Sequence, residues 1–388
     1  MEFPIPRTAP YLPPQYRARG EEGPRRVTLL YGGEAWLVTG HADARTVLAD
    51  TSFSSDSTLP GYPNFPLAPK TRLPGHFLSM DPPEHTQLRR LVAEYFRNGR
   101  VQALRPRLEQ TASGLVEEFA REASPADLVA GVAAPLPAMA VAEMVGIPPE
   151  RRELFLDCAR VLQKHDATAV ERLTAAGRMN RCLADIIEAK RGGADDDMLG
   201  HLARQRGGGF STQEIIGATN LIVVAGLETT TGLISLTMLS LLRDPAQGDL
   251  VRGDPERWCR AATAEALRYW TLIQHGVARV ATRDVRIADR TVRAGEAVVV
   301  HLPSANRDGS VYPRPDEFDL TREVRGQLAF GYGIHRCLGS SLAETQSTLI
   351  ISELMRRLPG LRLAVEEEQL PFHTDMLVYG LGSLPVSW

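Results

Sequence analysis

Two short stretches concentrate the residue types that could do chemistry. The first is FGYGIHRCLG, residues 330–339, which sets one thiol, Cys337, among Gly331, Gly333, Gly339, two basic side chains and Phe330. The second is AGLETT, residues 225–230, which places Glu228, Thr229 and Thr230 just after Ala225 and Gly226. A thiolate held away from water needs positive potential and N–H donors, and glycines let the backbone curl its N–H groups around a sulfur. The run after Cys337, LGSSLAETQSTLIISELMRRL, reads as a helix whose N-terminus directs its dipole at that sulfur. An anionic sulfur presented this way is an axial metal ligand; the plain alternative is a buried cysteine in a glycine turn. In the second stretch, a glycine in a helix interior costs about 1 kcal/mol relative to alanine, which suggests that something flat or bulky comes close to the backbone. A carboxylate with neighbouring hydroxyls could relay protons; equally, the acid could be satisfied by a core partner while the hydroxyls bond to carbonyls four residues back.

The elements that must position these residues are mostly helical. Alternation in RRVTLLYGGEAWLVTG, followed by HADARTVLAD, reads as a hairpin and then a helix. Helical patterns run from about Pro83 to Gly253, broken by GIPPE at 146–150 and by RGGADDD at 191–197. A strand-rich patch covers 277–303, and the tail DMLVYGLGSLPVSW adds short strands. The longest helix starts at a capping box, Ser211 with Glu214, and stops at Arg243-Asp244-Pro245; about 32 residues make it roughly 48 Å long. Glu228 is the only charge between Ile215 and Leu242. A membrane span would tolerate that length, yet a carboxylate at a bilayer centre costs at least about 2.5 kcal/mol, so the expectation is a central helix buried on all sides in protein. The fold class is mainly α (α+β), one domain over residues 1–388 with a small β-rich subdomain.

Composition excludes several classes of function. A formal charge of −3 on 388 residues offers no basic excess for nucleic acid. The N-terminus has no apolar run long enough for a signal peptide or anchor, and its prolines suggest an extended arm, so a cytoplasmic protein with no membrane association is expected. Cys158, Cys182, Cys259 and Cys337 lie far apart, which indicates neither a zinc site nor a disulfide framework; the first three read as small buried apolar residues.

With these motifs in hand, the chain resembles the cytochrome P450 superfamily of haem-thiolate monooxygenases, in its soluble bacterial form. FGYGIHRCLG matches the F-x-x-G-x-H-x-C-x-G haem-ligand loop, AGLETT the oxygen-activating helix motif, and EALR at 265–268 the E-x-x-R motif. MDPPEHTQLRRLV at 80–92, ANRD at 305–308, FDLTR at 318–322 and the closing LPVSW match in family order, so the likeness covers nearly the whole chain. It is most similar to actinobacterial members acting on secondary metabolites. The resemblance implies a haem b with Cys337 as its thiolate ligand, Phe330 packed beside the sulfur, and Gly331 and Gly339 shaping the loop. It implies that His85, Arg89, Arg279 and His335 hold the haem propionates. Ala225 and Gly226 would let the long helix lie close over the haem, while Glu228 and Thr229 deliver protons for activation of O2. Glu265, Arg268 and Arg322 would form a buried scaffold triad.

The chain departs from the family pattern at Gln327, Gly309, Glu344 and Gln346; the last two alter the charge of the helix after Cys337. Three functions are weighed. The first is a monooxygenase that takes electrons from a ferredoxin and ferredoxin reductase to hydroxylate or epoxidise an apolar small molecule, acting as a monomer. The second is the same oxidant used for ring closure or C–N or C–C coupling without oxygen insertion. The third is a non-enzymatic haem sensor, against which the Glu228-Thr229 pair argues. Substrate choice is assigned to STLPGYPNFPLAPKTRLPGHF at 57–77, whose Tyr62, Phe65 and Phe77 could line a pocket or pack the loop, and to the region around 158–180.

Overall fold

The computed structural model describes residues 2–4, 23–30, 32–64, 71–163, 167–193, 196–204, 210–373 and 378–388. Strand β1 (Glu2–Phe3) pairs parallel to β2 (Arg25–Leu29), burying Phe3. Most of the proline-rich arm falls outside the described residues. β2 forms the predicted hairpin with β3 (Glu34–Val38), Val27 opposite Ala35 and both buried. Helix α1 (His41–Ala49) and the short strand β4 (Phe53–Ser54) follow.

Helices α2 (Glu84–Ala93) and α3 (Asn98–Phe119) lead through strand β5 (Ala126–Asp127) and a π-helical turn to α4 (Pro135–Val145). Gly146, at φ 87°, ends α4 within GIPPE, and α5 (Pro149–Gln163) begins three residues on. A reciprocal Thr168–Glu171 cap starts α6 (Ala169–Lys190), and the polar break separates it from α7 (Met198–Arg204). Helix α8 (Thr212–Arg243) has the expected bounds: Ser211 Oγ accepts from the Glu214 N–H and Glu214 accepts from the Ser211 N–H at 2.8 Å. Asp244 stops it and caps α9 (Pro245–Gly253); Asp254 does the same for α10 (Pro255–Trp270). Each Asp-Pro pair ends one helix and pre-sets the next.

The long helix is not buried on all sides, as its composition suggests. Every residue from Thr230 to Leu241 is buried, but Val224 is 54 % exposed and Ala225 is also exposed. The accessible positions lie in the N-terminal half, beside the AGLETT motif. The C-terminal half is a core element, and the helix as a whole packs on α10 and α4.

The strand-rich patch supplies β6 (Val277–Ala281), β7 (Val285–Ile287), β8 (Arg290–Val292) and β9 (Ala297–Val300). The main sheet runs β1-β2-β3-β9-β6-β4, with β9 parallel to β3 and antiparallel to β6. Val298, Val299 and Val300 are all fully buried, so both faces of the central strand are covered. A short helix α11 (Leu302–Ala305) precedes the Cys337 loop, and α12 (Ser340–Arg357) follows it and packs on α3 and α10. Strands β10 (Arg362–Leu363) and β11 (Pro385–Ser387) join β5 in a three-stranded sheet, as the tail pattern suggests. Cys158, Cys182 and Cys259 are buried, and burial pushes the Cys259 thiol up to about 12.

Candidate active site

The Cys337 loop is built by backbone hydrogen bonds between residues that glycine lets turn. Gly331 and Gly333 sit at φ 68° and 74°, and a side chain at Gly333 would run into the Leu48 carbonyl of α1. The Cys337 N–H donates to the Phe330 carbonyl at 2.7 Å, and Gly331 donates to Leu328 at 2.8 Å. Gly339 caps α12 and directs its N–H at the Cys337 sulfur. Burial pushes the Cys337 thiol up; the Gly339 N–H and the charges of Arg336 and Arg89 oppose this, and Glu344 reinforces it. Although densely surrounded, Cys337 is solvent-accessible. The sulfur is thus presented by N–H and cationic groups rather than packed away as an inert thiol.

Four basic side chains named from sequence surround this loop. The rings of His85, on α2, and His335 lie 4.2 Å apart between centroids. Both ring nitrogens of each are buried without a hydrogen-bond partner. Arg279, on β6, is 6 % exposed and donates to the Ala278 carbonyl at 2.8 Å. Burial lowers His85 to about 4, helped by Arg89 and Arg279, and lowers His335 to about 2, helped by Arg279, His85 and Arg89. Arg89 stands nearer the sulfur, with its guanidinium on the Arg336 carbonyl. Buried donors left unpartnered are rare because each carries a desolvation penalty. Convergent ones beside the buried guanidinium of Arg279 suit the carboxylates of a bound group.

On α8, the Thr229 hydroxyl donates to the Ala225 carbonyl at 2.7 Å, and Thr219, Thr231, Thr237 and Ser240 likewise bond four residues back. Gly226 has a reason beyond the one its position suggests: a Cβ there would lie 3.2 Å from the Val141 side chain of α4, so the missing side chain lets two helices approach. Burial raises the Glu228 carboxyl, and Arg172 partly offsets it. Glu228 also lines a cavity of about 810 Å³, with Val129, Met139, Leu156, Arg160 and Leu381 among its walls. Met139 and Arg160 are exposed, so this cavity opens outward, on the acid's side of the helix and away from Thr229.

The scaffold triad forms as named. Arg268 Nε and Nη2 donate to the two Glu265 oxygens at 2.7 Å each, and Arg322 Nε and the Asp319 N–H reach Glu265 at 3.1 and 3.0 Å. The ANRD match includes Asn306 without a role; its side-chain amide donates to Thr271 and its Oδ1 accepts from the Leu328 N–H at 2.6 Å. Asn306 thereby ties α10 to the Cys337 loop. The substrate-choice segment divides. Phe77 is in the core, Phe65 lies outside the described residues, and Pro74 and Gly75 meet the backbone of α8, with no room for a side chain at Gly75 or Gly217. Gln327, one of the departures, caps its own loop by accepting from the Ala329 N–H at 2.6 Å. Gln346 is buried with its carbonyl oxygen unpartnered, and Glu344 is exposed.

A family profile described as cytochrome P450 matches residues 259–380, the span that holds the triad, Arg279 and the Cys337 loop. The chain is 40 % identical over 366 residues to cytochrome P450-SU2 of Streptomyces griseolus, covering 94 % of this chain and 90 % of that one. It is 38 % identical over 373 residues to nocardicin C N-oxygenase of Nocardia uniformis subsp. tsuyamanensis, covering 95 % and 94 %. The crystal structure of GfsF superposes with a TM-score of 0.94 at 35 % identity over all of both chains. The chain belongs to the cytochrome P450 family. It is therefore an oxidoreductase of the monooxygenase type, whose chemistry runs on haem iron and O2 with small-molecule substrates and redox partners. The residues fit the group: haem carries two propionates, and the neutral rings of His85 and His335 each have an orphaned N–H to donate beside the buried guanidinium of Arg279.

Proposed function

We propose that residues 1–388 form one domain of a monomeric cytoplasmic monooxygenase that hydroxylates or epoxidises an apolar small molecule in secondary metabolism, with electrons from a ferredoxin and its reductase. One observation carries this reading: an accessible cysteine cradled by N–H and cationic groups beside a buried, unpartnered set of propionate donors. Cys337 holds the iron of haem b, with Phe330, Gly331 and Gly339 shaping its loop, and His85, Arg89, Arg279 and His335 hold the propionates. When bound, the haem supplies one-electron and O2 chemistry, tuned by its thiolate. Ala225 presents little side-chain volume where α8 is accessible.

The protein's part is to deliver protons while excluding water. Because the Thr229 hydroxyl spends its proton on the Ala225 carbonyl, its lone pairs are free to accept from, and so orient, a water on that face. Glu228 lies about 100° further round the helix, where the outward-opening cavity can reprotonate it. Its raised pKa keeps it a proton donor at higher pH than an exposed carboxyl. Acid and alcohol thus share one turn but serve two compartments. The relatives' names point to natural-product chemistry: one is an N-oxygenase of nocardicin C and another, from Streptomyces avermitilis, a synthase of pentalenic acid.

The test is spectroscopic and isotopic. Reduced protein exposed to carbon monoxide should show the thiolate-type Soret band. Turnover of a substrate found by haem spin shift should put one atom of labelled O2 into the product. Unlabelled product formed with normal coupling would instead indicate ring closure or coupling.

A further inference from the structure

Tyr62 belongs to the segment that the sequence offers as a pocket lining, yet its side chain goes elsewhere. Gly61, at φ 83°, sits so close against the Gly295 carbonyl that no side chain fits between them. That contact seats residues 61–62 on the turn between β8 and β9. From there the Tyr62 hydroxyl reaches β6 and donates to the Ala278 carbonyl at 3.3 Å. Arg279 Nη1 donates to the same oxygen at 2.8 Å. A carbonyl oxygen has two lone pairs, so these two donors fill it.

The surroundings leave Tyr62 a distinct role. Arg279 is almost wholly buried, with the Asp81 carboxylate as its anionic neighbour and the Tyr62 phenol beside it. The Asp81 carboxylate accepts from the Ser54 hydroxyl and from the Ser55 N–H at 2.9 Å, and makes no direct ion pair with Arg279 among the described contacts. Burial pushes the Tyr62 phenol up, so it remains a neutral donor and does not compete as an anion for the guanidinium.

We infer that Tyr62 is a positioning residue for the cofactor's anionic edge: by occupying the second lone pair of the Ala278 carbonyl, it fixes Arg279 Nη1 on the first and aims the rest of the guanidinium at a haem propionate. Without the hydroxyl, Arg279 can swing about a half-filled acceptor, and the propionate loses an oriented partner. The inference rests on the haem reading proposed above and concerns a residue outside the family motifs found in the sequence.

Tyr62→Phe removes one oxygen and keeps the packing. Haem transfer from the loaded protein to excess apomyoglobin should run about fivefold faster than from wild type, the worth of one ordinary hydrogen bond. The iron midpoint potential, titrated with redox dyes, should shift as propionate charge is less well compensated. In an Arg279→Lys background, which already lacks the planar guanidinium, adding Tyr62→Phe should change neither quantity further. Wild-type release and potential in Tyr62→Phe would overturn the inference, as would an undiminished effect in the Arg279→Lys background. A wild-type protein that binds no haem would overturn the cofactor reading itself, which separates the two failures.

Discussion

Two buried clusters of charged and polar side chains, one around Glu265 on α10 and one around Arg279 on β6, behave oppositely. Around Glu265, every obvious donor is used: both carboxylate oxygens take Arg268, and one also takes Arg322 and the Asp319 N–H. Arg268 spends its remaining N–H groups on the carbonyls of Asn306, Pro315 and Glu317. Around Arg279, the ring nitrogens of His85 and His335 have nothing. A satisfied buried network fixes a fold, whereas an unsatisfied one raises the energy of the empty site and lowers that of the loaded one. The first cluster has the character of scaffold, and under the function proposed above the second is the receptor for an anion.

Glu265→Ala should abolish this contrast by making the scaffold cluster the unsatisfied one. It strands two buried guanidinium groups, at a cost of about 3–5 kcal/mol, so soluble yield and thermal stability should collapse. Folded, haem-replete protein with only slower turnover would show that the two clusters are alike after all. Cys337→Ser leaves both clusters intact and should eliminate the thiolate-type Soret band of the reduced carbonyl complex, while the fold melts normally. Thr229→Ala should leave haem content and substrate spin shift near wild type, yet move most reducing equivalents into hydrogen peroxide. Glu228→Gln should instead slow oxygen activation, on the order of 10²-fold. Product formed per NAD(P)H consumed, with peroxide assayed alongside, separates the two.

The smallest effect tests the receptor cluster most directly. His85→Phe removes two unpartnered buried nitrogens, so the cofactor-free protein should gain roughly 1 kcal/mol. The loaded protein should lose haem faster. The sign with pH follows from His85 titrating at about 4 in the fold against an ordinary 6.5. The stability tied to its neutral form is present above the ordinary value and is lost as pH falls through the folded one. Cofactor-free wild type should therefore weaken with acid more steeply than His85→Phe, read by chemical denaturation across that range.

What was legible in the sequence was local. The ends of α8 follow from Ser211, Glu214 and Asp244-Pro245 because caps act within one turn. The β2–β3 hairpin follows from its alternation, and the Cys337 loop from glycine spacing. The Glu265 triad needed a motif some 55 residues downstream, so resemblance rather than spacing linked Arg322 to it. What stayed hidden depends on docking between distant segments. Nothing near Tyr62 announces β6, nothing near Asn306 announces Leu328, and Gly226 meets Val141 only once α4 is laid against α8. The same limit explains why the composition of α8 suggests burial on all sides, since composition reports a helix's average environment and not which turn faces an opening.

The backbone contact of Pro74 and Gly75 with α8 bears on how such a protein diversifies. At Gly75 and Gly217 two main chains touch, and any side chain would collide with the opposite backbone. Leu73 and Leu78, on the same crossing, point outward and are about half exposed. Variation is therefore channelled: the two glycines are closed to substitution, while their neighbours can change without unseating the segment from the helix. A lineage can remodel this crossing residue by residue while the seat beneath it stays the same.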